Sequence, residues 1–123
     1  MAGTASLDLH AYVAALNSHP RGEARGTGAA LRTAQGRLLV GCGIRLKGGP
    51  ESCAIRHAIA AALVEEGSEL VIEAVVLVAV DAHGDGLPAV PCEECIRWLL
   101  AFGPEVPVSY LHPRDGWSQR HAG

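Results

Sequence analysis

Pro91-Cys92-Glu93-Glu94-Cys95 is the stretch that decides how this chain reads. Proline is tolerated at the start of a helix, where no backbone N–H is needed, and side chains at i and i+3 share a face. Cys92 and Cys95 therefore fall one turn apart in the first turn of an expected helix. Cys53 lies far upstream and heads a second expected helix that runs to about Glu66, where Gly67 stops it. Both placements set thiols against helix N-termini, whose free N–H groups and positive dipole end lower the thiol pKa. Three such thiolates fit one zinc ion held in a tetrahedron with its fourth position open, which is a catalytic geometry. Cys42 supplies the competing reading: as a fourth ligand it would close the site and make the metal structural. His57, one turn after Cys53, is either a further ligand or an ordinary core or surface histidine. Buried free thiols with no metal are the plainest alternative.

On either side of these cysteines the pattern alternates between helix and strand. Ser6 is placed to cap a first helix with Leu7, Ala11, Ala14 and Ala15 on one face, ending near Asn17 ahead of His19-Pro20. Arg21 to Gly26 reads as loop. Thr27 to Thr33 and Arg37 to Ile44 flank Ala34-Gln35-Gly36, a turn signal that predicts a β-hairpin. Gly48-Gly49-Pro50 breaks the chain before Glu51 or Ser52 starts the Cys53 helix, with Ile55, Ile59, Ala62 and Leu63 apolar. Val71 to Val80 is a nearly continuous valine-rich run, the pattern of a central strand covered on both faces. A glycine-rich loop, Asp81 to Ala89, leads to the Pro91 helix through Leu99 and Phe102, ended by Gly103-Pro104. Val106 to Leu111 is expected as the last strand, with a polar, frayed tail over 112–123. The order α-β-β-α-β-α-β predicts an α/β fold with a mixed central sheet, in one domain spanning 1–123.

Composition narrows the function classes. A chain of 123 residues with 49% apolar residues can build a core without disulfide staples. Net charge is −3 and no lysine/arginine stripe is present, which argues against a nucleic-acid partner. The most apolar run is far too short to span a bilayer, so no membrane is expected. The amino terminus has no basic segment followed by an apolar run, and four cysteines then read as thiols or ligands in a reducing, cytoplasmic setting.

Several segments together resemble the small, homotetrameric type of cytidine deaminase, a family that includes blasticidin-S deaminase. Gly28-Ala29-Ala30-Leu31 resembles the family's V-G-A-A-L strand, and Gly41-Cys42 resembles the start of T-G-C-N-V-E-N. Cys53-Ala54-Ile55-Arg56 resembles C-A-E-R, and Pro91 to Cys95 resembles P-C-G-x-C-R-Q. Phe102-Gly103 and Val106 to Leu111 match the closing helix and strand, so the likeness covers roughly residues 5–112. It implies a three-layer α/β/α fold, zinc on Cys53, Cys92 and Cys95, Arg56 donating to a ligand thiolate, and a homotetramer or homodimer around a small-molecule substrate or ligand.

The departures cluster on the substrate. Ile55 stands where the family has its proton-shuttling glutamate, Gly43 and Arg45 where it has the asparagine and glutamate that hold the ribose, and Arg25 where it stacks a phenylalanine. Glu93 and Ile96 replace the glycine and arginine of P-C-G-x-C-R. Arg25 and Arg45 at pocket positions suit a carboxylate or phosphate on the ligand, or simply face solvent. Glu93 ranks first as a substitute proton carrier, ahead of Glu51, His57 and His83, although glutamates in a first helical turn usually serve the dipole. Two readings follow. One is a divergent zinc-dependent hydrolase acting on an amino-bearing heterocycle or related small anionic molecule rather than cytidine. The other is a catalytically silent deaminase-fold zinc protein that binds a ligand or partner.

Overall fold

The computed structural model describes residues 2–18, 25–46, 48–103 and 105–122, with side chains from residue 7 onward. Helix α1 (Ala2–Leu16) is followed by the hairpin β1 (Gly26–Thr33) and β2 (Leu38–Cys42). A two-stranded ribbon, β3 (Ile44–Arg45) and β4 (Glu51–Ser52), leads into α2 (Ala54–Glu66). Then come β5 (Ile72–Val80), β6 (Gly86–Leu87), α3 (Glu93–Leu100), β7 (Pro107–His112) and β8 (Gly116–His121). The main sheet runs β2-β1-β5-β7-β8, with β6 on β5. Only β5 and β7 pair in parallel, so the sheet is mixed.

Strand β5 explains the layering. From Ala74 onward its residues alternate between two cores: Val75, Leu77 and Ala79 pack with α2 and α3, whereas Val76, Val78 and Val80 pack with α1. Strand β1 does the same with Ala29 and Leu31 on one side and Ala30 on the other. A period-2 strand that is apolar at every position needs a helix on each face, and the result is the three-layer α/β/α architecture expected from the sequence. Two glycines let the helices lie close. A Cβ at Gly28 would collide with the Ala11 carbonyl and the Ala15 N–H of α1, and one at Gly41 with Ala54 and Ala58 backbone in α2.

The structure moves several expected boundaries. Ser6 lies inside α1, which begins at Ala2. The loop expected over 21–26 falls outside the described residues except for Arg25 and Gly26, and Gly26 already belongs to β1. Gly43 divides the expected second strand into β2 and β3, and Glu51 and Ser52 form a ribbon strand, leaving Cys53 as the N-cap of α2. Helix α3 stops at Leu100, and Phe102 closes a turn onto the Leu99 carbonyl at 2.9 Å. The expected tail contains β8, an edge strand whose alternate residues are half-buried against β7. Ala122, fully buried, fastens its end by donating to the Val106 carbonyl at 2.9 Å. A one-sided edge strand tolerates a polar sequence, which is why composition alone read as a tail.

Candidate metal centre and its cleft

Helices α2 and α3 start beside each other, and each is N-capped by a cysteine in extended conformation: Cys53 (φ −75°, ψ 137°) and Cys92 (φ −78°, ψ 159°). Cys95 sits one turn into α3. The sulfurs of Cys53 and Cys92 are 3.7 Å apart, those of Cys92 and Cys95 3.3 Å, and all three lie within 4.8 Å of one another. Cys92 is exposed, Cys53 half-buried and Cys95 buried, so the group opens on one side. Burial works against a charged Cys92, yet hydrogen bonds from the Cys95 N–H, the neighbouring thiols and the Glu94 N–H outweigh it and hold this thiol below its ordinary pKa. Burial, reinforced by the adjacent sulfurs, pushes the Cys95 thiol well up. Arg56 Nη2 donates to Cys53 Sγ at 3.1 Å, and its guanidinium lies 5.7 Å from the centre of the Trp98 ring. Three soft donors at these separations, with one guanidinium tempering their charge, fit a zinc ion.

The sulfurs border a cleft of about 160 Å³. Ile55, Leu77 and Val90 give it an apolar wall. Its polar residues are Arg25, Thr27 and Glu51. Arg25 is exposed and donates to the Pro88 carbonyl at 3.2 Å. Glu51 Oε2 accepts from Thr27 Oγ1 at 2.9 Å. Ile55 is only 1% exposed and belongs to the main core as well as to the cleft. A larger, mostly apolar hollow of about 550 Å³ lies between α1 and β2, lined by Leu9, Val13 and Val40 with His10, Asn17 and Cys42 among them.

The other residues singled out in the sequence are not brought together here. Cys42 lines that second hollow, away from the sulfur group. His57 is held by the Cys42 carbonyl at 2.6 Å and Ser52 Oγ at 2.7 Å. Neither closes the site among the described residues, which leaves three ligands. Arg45 is exposed on β3 and does not line the cleft. Glu93 makes a two-pronged ion pair with Arg120, at 2.9 and 3.2 Å, and points away from the cleft. That pairing depresses its pKa. His83 sits in the loop after β5, its N–H on Asp81 Oδ1. Thr27 was missed, although a signal existed: it is the buried polar residue at the head of an apolar strand, and such a hydroxyl needs a partner.

Paired N-cap cysteines beside a mixed sheet, with a third thiol one turn on, form a group that could hold a metal ion on a three-layer α/β/α scaffold. Solved structures agree. The chain is 24% identical to the cytidine deaminase of Burkholderia pseudomallei, covering 97% of this chain and 92% of that one at a TM-score of 0.76. It is 28% identical to the cytidine deaminase of Mycobacterium tuberculosis, covering 98% and 90% at 0.71. It is 18% identical to that of Bacillus anthracis, covering 96% and 82% at 0.72. No protein-family model and no curated protein matches it. The chain has a cytidine deaminase-like fold.

Proposed function

We propose that this protein is a zinc-dependent hydrolase of deaminase type, acting on an amino-bearing heterocycle or a related small, anionic molecule rather than on cytidine. The observation that carries the reading is the convergence of three thiol sulfurs within 4.8 Å at the edge of a cleft that also holds a guanidinium and a carboxylate. Cys53, Cys92 and Cys95 would hold the ion, which when bound supplies Lewis acidity and acidifies water toward neutral pKa. Arg56 steadies the Cys53 thiolate. Arg25, at the cleft, receives the anionic group of the ligand. Ile55 keeps water off the sulfurs and carries no proton. Loss of one positioned acid–base group costs roughly 10²–10⁴-fold in rate, so slow turnover is expected. Glu93, the first candidate for that role, is paired with Arg120 and does not line the cleft, which counts against it. A homotetramer or homodimer would cover the apolar hollow of α1 and β2. A cytoplasmic setting fits the free thiols, and no helix among the described residues is long and apolar enough to cross a membrane.

The silent reading has one observation in its favour: Ile55 is only 1% exposed and packs in the main core with Ala58, Ile59 and Ala62 of α2. Zinc content per chain, measured on protein purified without added metal or chelator, comes first. About one zinc per chain is expected, followed by ammonia release from carboxylate-bearing amino-heterocycles. No zinc sinks the proposal. Zinc with no ammonia from any member of the panel leaves the silent protein.

A further inference from the structure

Gly43 marks the feature of the cleft that neither the metal group nor Arg25 accounts for. Its φ is not in the left-handed region, so conformation does not demand glycine there. Space does: a Cβ at Gly43 would collide with Thr27 Oγ1 and Glu51 Oε2. Gly43 is buried, and its N–H donates to the Thr27 carbonyl at 2.8 Å, which fixes its backbone against β1. The Glu51 carboxylate thus occupies the room that any side chain at 43 would take, held from below by the Thr27 hydroxyl. Among the described residues, Thr27 is its one side-chain donor. A carboxylate can accept from several donors, and Glu51 lines the cleft with part of that capacity not taken by protein side chains. The neighbouring Arg25 makes no ion pair with it and donates instead to Pro88.

We infer that Glu51, seated in the space left by Gly43 and positioned by Thr27, selects the ligand by accepting a ring N–H from a single-ring amino-heterocycle. This rests on the deaminase-type reading of the same cleft and narrows its substrate class. Size points the same way. The cleft holds about 160 Å³, below the roughly 300–1,000 Å³ of pockets that enclose drug-sized ligands. That volume suits a free heterocyclic base better than a nucleoside.

Cytosine and 1-methylcytosine test this, because they differ only at the N1 donor. Calorimetric titration of the purified protein with each is expected to show cytosine binding about tenfold more tightly, the worth of one charge-assisted hydrogen bond. Glu51→Gln should bring the ratio close to one. Gly43→Ala should do the same without touching Glu51, since the new methyl displaces the carboxylate, and it guards against a misfolded Glu51 variant. A ratio unchanged in both variants overturns the inference, as does a wild-type protein that binds neither probe or shows no preference. Zinc content of the same samples separates the two claims. A donor preference without zinc removes the hydrolase and keeps Glu51 as the selecting residue, whereas zinc without a preference does the reverse.

Discussion

Gly41→Ala is the perturbation that most directly tests how the fold builds the sulfur group. Gly41 is in β2, and a Cβ there would meet the backbone of Ala54 and Ala58, with the His57 carbonyl carbon at 2.9 Å. These are helix backbone atoms, so no side chain can swing aside. Helix α2 must lift from the sheet as a body. Overpacking of this kind costs about 1–3 kcal/mol. At roughly 4 °C per kcal/mol for a domain of this size, the melting temperature should fall by about 4–12 °C. The same movement carries Cys53, the N-cap of α2, away from Cys92 and Cys95 on α3. Zinc affinity, read by competition with a chromophoric chelator, should therefore weaken in step. Gly36→Ala is the control: it sits at φ 91° with nothing within 4 Å. Its cost of about 1–2 kcal/mol is conformational and local, with no effect on the metal. An unchanged melting temperature in Gly41→Ala would refute the close α2–β2 approach, and full zinc affinity in a destabilised variant would refute the coupling of that approach to the site.

Two other changes check corrections made by the structure. Arg120 depresses the Glu93 pKa in the folded state, so the pair stabilises the fold at pH above the unfolded glutamate pKa of about 4.3, and that contribution is lost as pH falls through the folded value. Glu93→Gln should lower the melting temperature slightly at pH 7, converge with wild type in acid, and leave any zinc-dependent turnover intact. Abolished turnover would restore Glu93 as the proton carrier. Truncation after His112 should remove at least about 3 kcal/mol, a large share of the stability of a small domain, by stripping β8 and the buried Ala122 from β7. A truncated chain that melts with the full-length protein would show that the segment contributes nothing to the fold.

The layers were legible because β5 is apolar without a break from Ala74 to Val80 and the helices carry their small residues on one face. The helix start at Cys92 was legible because proline and the i, i+3 spacing report local geometry. Strand β8 was not, since an edge strand half-buried on one side leaves no hydrophobic signature. The polar wall of the cleft was not either. Which carboxylate faces the sulfurs depends on the β3–β4 ribbon turning Glu51 inward and on Arg120, from β8, drawing Glu93 outward. Both are long-range placements, and no periodicity in the local sequence encodes them.

The residues of the cleft are physically linked, and that linkage bears on whether the site serves a ligand. Gly43 has no side chain, and the Glu51 carboxylate fills the room one would take. Thr27, buried in an apolar strand, supplies the hydroxyl that holds it at 2.9 Å. Ile55 is a core residue that also lines the cleft, and Arg25 adds a cation at the rim. The cleft thus combines an apolar wall with a carboxylate and a cation. The Glu51 carboxylate lines the cleft and meets one protein side-chain donor, which leaves acceptor capacity open to whatever enters. Keeping glutamate there, beside three thiols close enough to share an ion, makes sense when a ligand supplies the missing donors. That argument favours the working cleft over the silent one.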